Sequence, residues 1–332
     1  MTLEKLKTLI ESPPAWSQSD ENSINQPYNH IASNPGKNFR AKLIHLFNQF
    51  YLLDENIIQT LTQIVEILHN SSLIIDDIED NSQLRRGVVA SHMLYGVPMS
   101  INTANYMYFV AMDLLRNLSH DAVTSNDLMK IFNEELLYLH RGQGLDIYWR
   151  DSLPKVVPTE EMYFNMVMNK TGGLFRLTLK IMERLSEYWQ GQKSLVPLGN
   201  LLGIIYQVRD DYLNLTDSSM IETKGFADDI SEGKLSFPII HGINYAKIHD
   251  PNNTLLLDIL CLKTKDENLK KNAIRYLSDC SKSFEYTSSV LKKLTTLLHS
   301  NSYFPDVTND STNSQTEAIK QVYNIMEKLA NV

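Results

Sequence analysis

From Asn38 to the C-terminal region, apolar residues recur about every 3.6 positions, and almost no stretch alternates with period two for long. A chain patterned this way buries one stripe of each helix and cannot place the same residues on one face of a sheet. The period predicts helices over 38–52, 55–80, 99–119, 124–149, 159–186, 194–215, 234–248, 254–263, 266–281, 283–299 and 314–330. Gly87, Gly96, Pro98, Pro154, Pro158, Gly191, Gly225, Pro251 and Pro305 fall between them, where helix breakers belong. Thr2–Glu11 reads as a short helix. The segment after it, with Pro13, Pro14, Pro27 and Pro35, reads as a polar arm. Only 13 glycines and 11 prolines in 332 residues suit long helices better than a turn-rich β fold. The expected class is all-α. No linker divides the core, so 1–332 is expected to be one domain, with 300–317 a mobile surface loop.

Composition narrows the function classes. The formal net charge of −8 disfavours a nucleic-acid partner. Cys261 and Cys280 lack metal-ligand spacing and are expected to be buried, reduced thiols. The first residues, MTLEKLKTLIESPPAW, hold no secretory h-region, and no apolar run is long enough to span a bilayer. A cytoplasmic location without a transmembrane segment is the expectation.

Within 64–80, Asp76 and Asp80 lie four apart on one helical face, and His69 falls on the same stripe two turns earlier. Leu73, Ile74, Ile75 and Ile78 surround that stripe, so the acidic face is narrow and set in an apolar jacket. One such cluster is more often a wet edge paired with arginines such as Arg85 and Arg86. The pattern recurs, however, in LLGIIYQVRDDYLNL, where Gln207, Asp210, Asp211 and Asn214 share a side of a second apolar helix. Close carboxylates in an apolar setting repel each other and resist ionisation. Mg²⁺ relieves both problems, taking oxygen ligands from one or two carboxylates plus substrate phosphates. Basic clusters complete the set: Lys37 and Arg40 in PGKNFR, Arg85 and Arg86, Lys170 and Thr171 in NKTGG, and Lys224 and Lys234 in KGFADDISEGKLSFP. Together they suggest a site for two polyphosphates.

The ordered set of DDIED, DDYLN, PGKNFR, LRRG, KTGGLF and KGFADDISEGKLSFP resembles the all-trans polyprenyl diphosphate synthases, with the nearest likeness to fungal geranylgeranyl diphosphate synthases. The resemblance covers roughly residues 27–245. It implies the all-α isoprenoid synthase fold around a central cavity, and a Mg²⁺-dependent prenyltransferase. Asp76, Asp80 and Asp210 would hold the metal. Arg85, Lys170, Thr171, Gln207, Lys224 and Lys234 would contact the allylic diphosphate. Lys37, Arg40, His69 and Arg86 would contact isopentenyl diphosphate. The second motif departs from the family by ending in Asn214, a neutral amide, so Asn214 is not counted as a ligand. The family usually forms homodimers, and 99–119 is a candidate interface. Membrane contact through the lipid product is left open.

Ser71 and Ser72, about one turn before Asp76, leave the cavity open where short-product members place an aromatic. In the resembling fungal enzymes bulky residues deeper down form the floor, and Tyr108, Phe109 and His140 match those positions. The expected product is therefore geranylgeranyl diphosphate, made from farnesyl diphosphate. Three rivals fare worse. A terpene cyclase would carry Glu eight residues after Asp210, where Ser218 stands. An HD-type phosphohydrolase could use His120-Asp121 or His249-Asp250, but the latter precedes Pro251 and reads as a turn. A non-catalytic partner subunit would show degenerate acidic motifs.

Overall fold

The computed structural model describes residues 1–36, 38–217, 226–300, 303–304 and 313–332. Among them the helices run, in chain order, α1 Leu3–Glu11, α2 Gln18–Ile24, α3 Gln26–Ala32, α4 Phe39–Tyr51, α5 Glu55–Glu79, α6 Ser91–Tyr95, α7 Val97–Arg116, α8 Ala122–Asp151, α9 Glu160–Lys170, α10 Gly172–Leu185, α11 Val196–Thr216, α12 Asp228–Glu232, α13 Phe237–His249, α14 Leu255–Cys261, α15 Glu267–Arg275, α16 Ser283–Ser300 and α17 Asn313–Ala330. The described sheet is one hairpin between α5 and α6, with β1 Leu84–Arg85 antiparallel to β2 Val88–Val89. The all-α expectation holds.

Local chemistry sets the boundaries. Asp121 accepts from the Thr124 amide at 2.8 Å and Thr159 from Met162 at 3.2 Å, so both are N-caps. That leaves His120-Asp121 as a helix start. His249 ends α13 and Asp250 caps it, as the turn reading requires. The arm after Thr2–Glu11 is partly helical, because Pro27 sits in the first turn of α3, where its missing N–H costs nothing. The helix expected over 159–186 is two: α9 stops at Lys170 and α10 starts at Gly172. The helix expected over 266–281 finishes as a π turn, Tyr276–Cys280.

α5 is the axis of the core. Its Ile58, Leu61, Ile64, Leu68 and Ile74 are fully buried, and it packs against α7, α4 and α10. α8 lies on α9 and α10, α11 lies on α10 and α9, and α17 returns to pack on α4. Two glycines bring these backbones together at the α9–α10 break. A Cβ at Gly203 would sit 2.8 Å from Gly172 Cα, and one at Gly142 would collide with the Lys170 backbone. Behind the break, Arg176 donates to Glu135 and to Asn200 at 3.0 Å each, and to the Met168 carbonyl. Glu135 is 1% exposed, so the pair is held by its geometry and extra hydrogen bonds rather than by solvent.

One other expectation is corrected, and another lies mostly outside the described residues. Cys261 and Cys280 are exposed, free thiols. Cys261 closes α14 just after the buried pair Ile259 and Leu260, so the apolar neighbours take the core positions instead. Of the segment 300–317, residues 301–302 and 305–312 lie outside the described residues. Within the rest, Phe304 is buried against Phe50 and Tyr323, at 5.2 and 5.8 Å between ring centroids, and α17 already begins at Asn313.

Candidate active site

The first acidic motif ends α5, with Asp80 as its C-cap. The hairpin then turns back over it. Arg86 and Gly87 both have positive φ, 56° and 79°, as a two-residue type I′ turn requires. This turn sends two adjacent arginines in different directions. Arg85 donates through Nε to Asp77 at 2.7 Å and through Nη2 to Asp76 at 3.1 Å. Arg86 reaches the Asn34 carbonyl at 2.8 Å and Asn70 at 3.4 Å. Asp77 is 1% exposed and serves Arg85 from below.

A stripe on α8 that the sequence reading missed faces this motif. Gln143 donates to Asp76 at 3.1 Å and to Glu79 at 2.7 Å. Asp146 accepts from Lys170 at 2.7 Å, and Lys170 Nζ lies 3.6 Å from Asp76. Arg150 pairs with Asp80 at 2.5 Å. The spacing 143, 146, 150 is one helical face, which was the available signal.

The second motif splits by depth. Asp211 is 1% exposed and accepts from Tyr163 Oη at 2.6 Å, Gln207 Nε2 at 2.9 Å and the Phe237 amide at 2.9 Å, with Lys234 Nζ at 3.4 Å. Gln207 in turn accepts from Thr171 at 2.7 Å. This chain joins the α9–α10 break to α11 and to Lys234. Asn214 is buried and accepts from the Asp229 amide at 3.1 Å, so its amide is a structural group. Asp210 is half-buried on the same helix. Lys224 and Ser218 lie outside the described residues.

The charges are strongly coupled. Burial works to raise the Asp76 carboxyl, but Lys170, Arg85 and Lys234 outweigh it and hold it well below the usual carboxylate range. Burial, and then the Asp76 charge, push Asp80 up to about 7. Burial and the charges of Asp80 and Asp229 push Glu232 well up too. Lys170 and Lys234 are desolvated, yet neighbouring carboxylates keep both firmly protonated. Among the described residues no three acidic, histidine or cysteine side chains form a ready-made metal cage. A magnesium ion held by one or two carboxylates and by phosphate oxygens needs none. The donor set fits it: hard oxygens one turn apart on α5, one of them resisting ionisation because it is buried beside the Asp76 charge.

A second group gathers at the start of α4. Arg40 lies over Phe175 and Tyr206, at 5.5 and 5.9 Å to the ring centroids, and its Nε is buried without a hydrogen-bond partner. Burial lowers the Arg40 pKa. Burial, then Arg40, Arg86 and Arg85, hold His69 well below its ordinary value, against the pull of Asp76. A cationic pocket with an unmet donor is suited to an anion. Lys37 lies outside the described residues.

Of the three expected floor residues, the structure joins two. Tyr108 is half-buried, with its ring 5.6 Å from that of His140, itself exposed and bonded to the Leu136 carbonyl. Phe109 is 65% exposed. Consecutive helical residues point about 100° apart, so within one chain Phe109 turns away from the Tyr108–His140 contact. Ser71 is fully buried with an unpartnered hydroxyl, and Ser72 bonds its own helix at the His69 carbonyl.

Known proteins are similar to this chain over most of its length. A family model described as polyprenyl synthetase matches residues 21–277. A geranylgeranyl pyrophosphate synthase of Eremothecium gossypii is 56% identical over 300 residues, covering 89% of this chain and 93% of that protein. A geranylgeranyl pyrophosphate synthase of Zymoseptoria tritici is 44% identical, over 84% of this chain and 80% of that protein. One from Hericium erinaceus is 40% identical, over 88% and 90%. With the match running through both acidic motifs and the basic clusters around them, the chain belongs to the polyprenyl synthetase family.

Proposed function

We propose that this chain condenses an allylic prenyl diphosphate, farnesyl diphosphate, with isopentenyl diphosphate to give all-trans geranylgeranyl diphosphate and diphosphate. The observation that carries the reading is the placement of two lysines between the acidic motifs. Lys170 Nζ is 3.6 Å from Asp76 of α5, and Lys234 Nζ is 3.4 Å from Asp211 of α11. Both charges are also felt at Asp80. The names of the relatives support the same product.

In this reading Asp76, Asp80 and Asp210 are the ligands of Mg²⁺, which when bound would supply Lewis-acid stabilisation of the departing diphosphate. Arg85, Lys170, Lys224 and Lys234 neutralise the same anion as the allylic C–O bond breaks and its electron pair leaves with the diphosphate. Thr171 and Gln207 turn their dipoles toward the allylic cation. Lys37, Arg40, His69 and Arg86 hold the second diphosphate, so that the alkene of isopentenyl diphosphate supplies the pair for the new C–C bond. Loss of a proton then sets the trans double bond. The apolar jacket of α5 keeps water from the cation.

Tyr108 and His140 are proposed to limit tail length. A second copy of the chain is proposed to cover Met93, Leu94, Met99, Ile101 and Phe109, which are exposed apolar residues on α6 and α7. No described helix is long and apolar enough to cross a membrane, and a cytoplasmic site of action belongs to the reading. The test is direct: the purified chain with Mg²⁺, farnesyl diphosphate and labelled isopentenyl diphosphate should yield a C20 product. Absence of any elongated prenyl product would reject the reading.

A further inference from the structure

Each cation around the first acidic motif is committed differently. Arg85 is anchored through Nε on the buried Asp77, and Lys170 rests on Asp146. Among the described residues, Arg150 is the cation that meets Asp80 directly. Its Nη2 also donates to the Glu79 carbonyl at 3.2 Å, where the last turn of α5 leaves a carbonyl unpaired, and its Nε donates to Asp151 at 3.1 Å. Lys263 holds Asp151 from the far side at 3.0 Å. If Asp80 turned away, Arg150 would keep both the Glu79 carbonyl and Asp151. It therefore has a place to remain without becoming an unpaired buried charge. Arg85 has no such alternative, since leaving Asp77 would orphan a carboxylate that is 1% exposed.

We propose that Arg150 is a positioning residue that competes with the divalent cation for Asp80, and so sets how tightly the site takes metal before substrate arrives. The inference rests on the reading of Asp80 as a metal ligand. Arg150 occupies Asp80 Oδ1, so a divalent cation that draws on this carboxylate must share its charge with the guanidinium, and metal entry weakens the Asp80–Arg150 pair. Diphosphate then favours metal loading by adding oxygen ligands that Arg150 does not contest. In this way the enzyme is held in a low-affinity metal-free form until substrate is present.

The test measures metal binding by the full chain without catalysis. Free Mn²⁺ is followed by its electron paramagnetic resonance signal at pH 8, with no prenyl diphosphate present. Arg150→Gln removes the competitor, and Mn²⁺ should bind on the order of tenfold tighter. Arg150→Lys, a point charge without the fork, should fall between. Asp151→Asn leaves Arg150 leaning on Asp80 and should loosen Mn²⁺ by roughly two- to threefold, since Asp151 is half exposed. Should R150Q fail to fold, the opposite directions of R150K and D151N carry the comparison. Equal or weaker Mn²⁺ binding in R150Q, or no ordering among the folded variants, overturns the role of Arg150 alone. If the unaltered chain takes up no Mn²⁺ even with inorganic diphosphate, the metal reading of Asp80 falls with it.

Discussion

Replacing Asp211 with Asn should cost the fold much more than replacing its neighbour Asp210. Asp211 accepts three hydrogen bonds, from Tyr163, Gln207 and the Phe237 amide, and lies 3.4 Å from Lys234. An Asn side chain offers one acceptor oxygen and turns two protons toward former donors. At least one of these donors is left unmet in a place that is 1% exposed, and among the described residues Lys234 keeps the Asp229 carboxylate, also at 3.4 Å. Removing one partner from a buried, charge-assisted set costs about 3–5 kcal/mol. For a domain of this size each kcal/mol moves the melting temperature by about 2 °C, so a fall of about 6–10 °C is expected. Asp210→Asn, at a half-buried position, should lose less than half of that while still losing prenyl transfer. Scanning calorimetry in metal-free buffer compares the two. A D211N protein melting within 2 °C of the parent, or a D210N protein falling equally far, would refute the division of the pair into an anchor and a ligand.

His69 sets a pH dependence. Its folded pKa is depressed, so as pH falls through about 6.5 the unfolded chain takes up a proton that the folded chain refuses. Stability is then lost with falling pH, by at most about 1.4 kcal/mol per pH unit, and His69→Gln should remove that component of the slope in urea unfolding between pH 7 and pH 5. Gly203→Ala should force α10 and α11 apart at Gly172, costing about 1–3 kcal/mol and lowering kcat/KM by shifting the Thr171–Gln207 bond; an unchanged melting curve would contradict the close packing. Tyr108→Ala should lengthen the product, read by chromatography of the dephosphorylated prenols. Phe109→Ala should weaken self-association in sedimentation instead, and a longer product from it within an unchanged dimer would contradict the outward placement of that ring.

The fold class was legible because a 3.6-residue period leaves a chain few alternatives, and α5 and α11 stand close to where the apolar pattern puts them. What the period could not show was interruption by backbone contact. The helix expected over 159–186 breaks at Thr171, where Gly142 and Gly203 let two other helices press on that point, a fact of packing between segments about 30 residues apart in sequence. The hairpin was likewise hidden in two-residue strands, too short for any alternation to register. Cys261 and Cys280 were misjudged because small, sulfur-bearing side chains are usually buried, while here bulkier neighbours occupy the core.

The acidic residues of the site were legible, as were Arg85, Lys170 and Lys234, but the partners on α8 were not, for a reason that lies in the chemistry. A run such as DDIED is conspicuous because burying like charges is costly unless something answers them, so the pattern itself demands an explanation. The answering groups carry no such signature. Gln143, Asp146 and Arg150 are single polar residues on a 30-residue helix whose exposed faces carry many others. Only their shared register, facing Asp76, Lys170 and Asp80 in turn, distinguishes them. A carboxylate pair read from sequence therefore locates a site, while the cation that holds it in the absence of metal emerges from the geometry. Asp80 illustrates the point: its place in the motif marks it for a divalent ion, and its partner at 2.5 Å is an arginine 70 residues away.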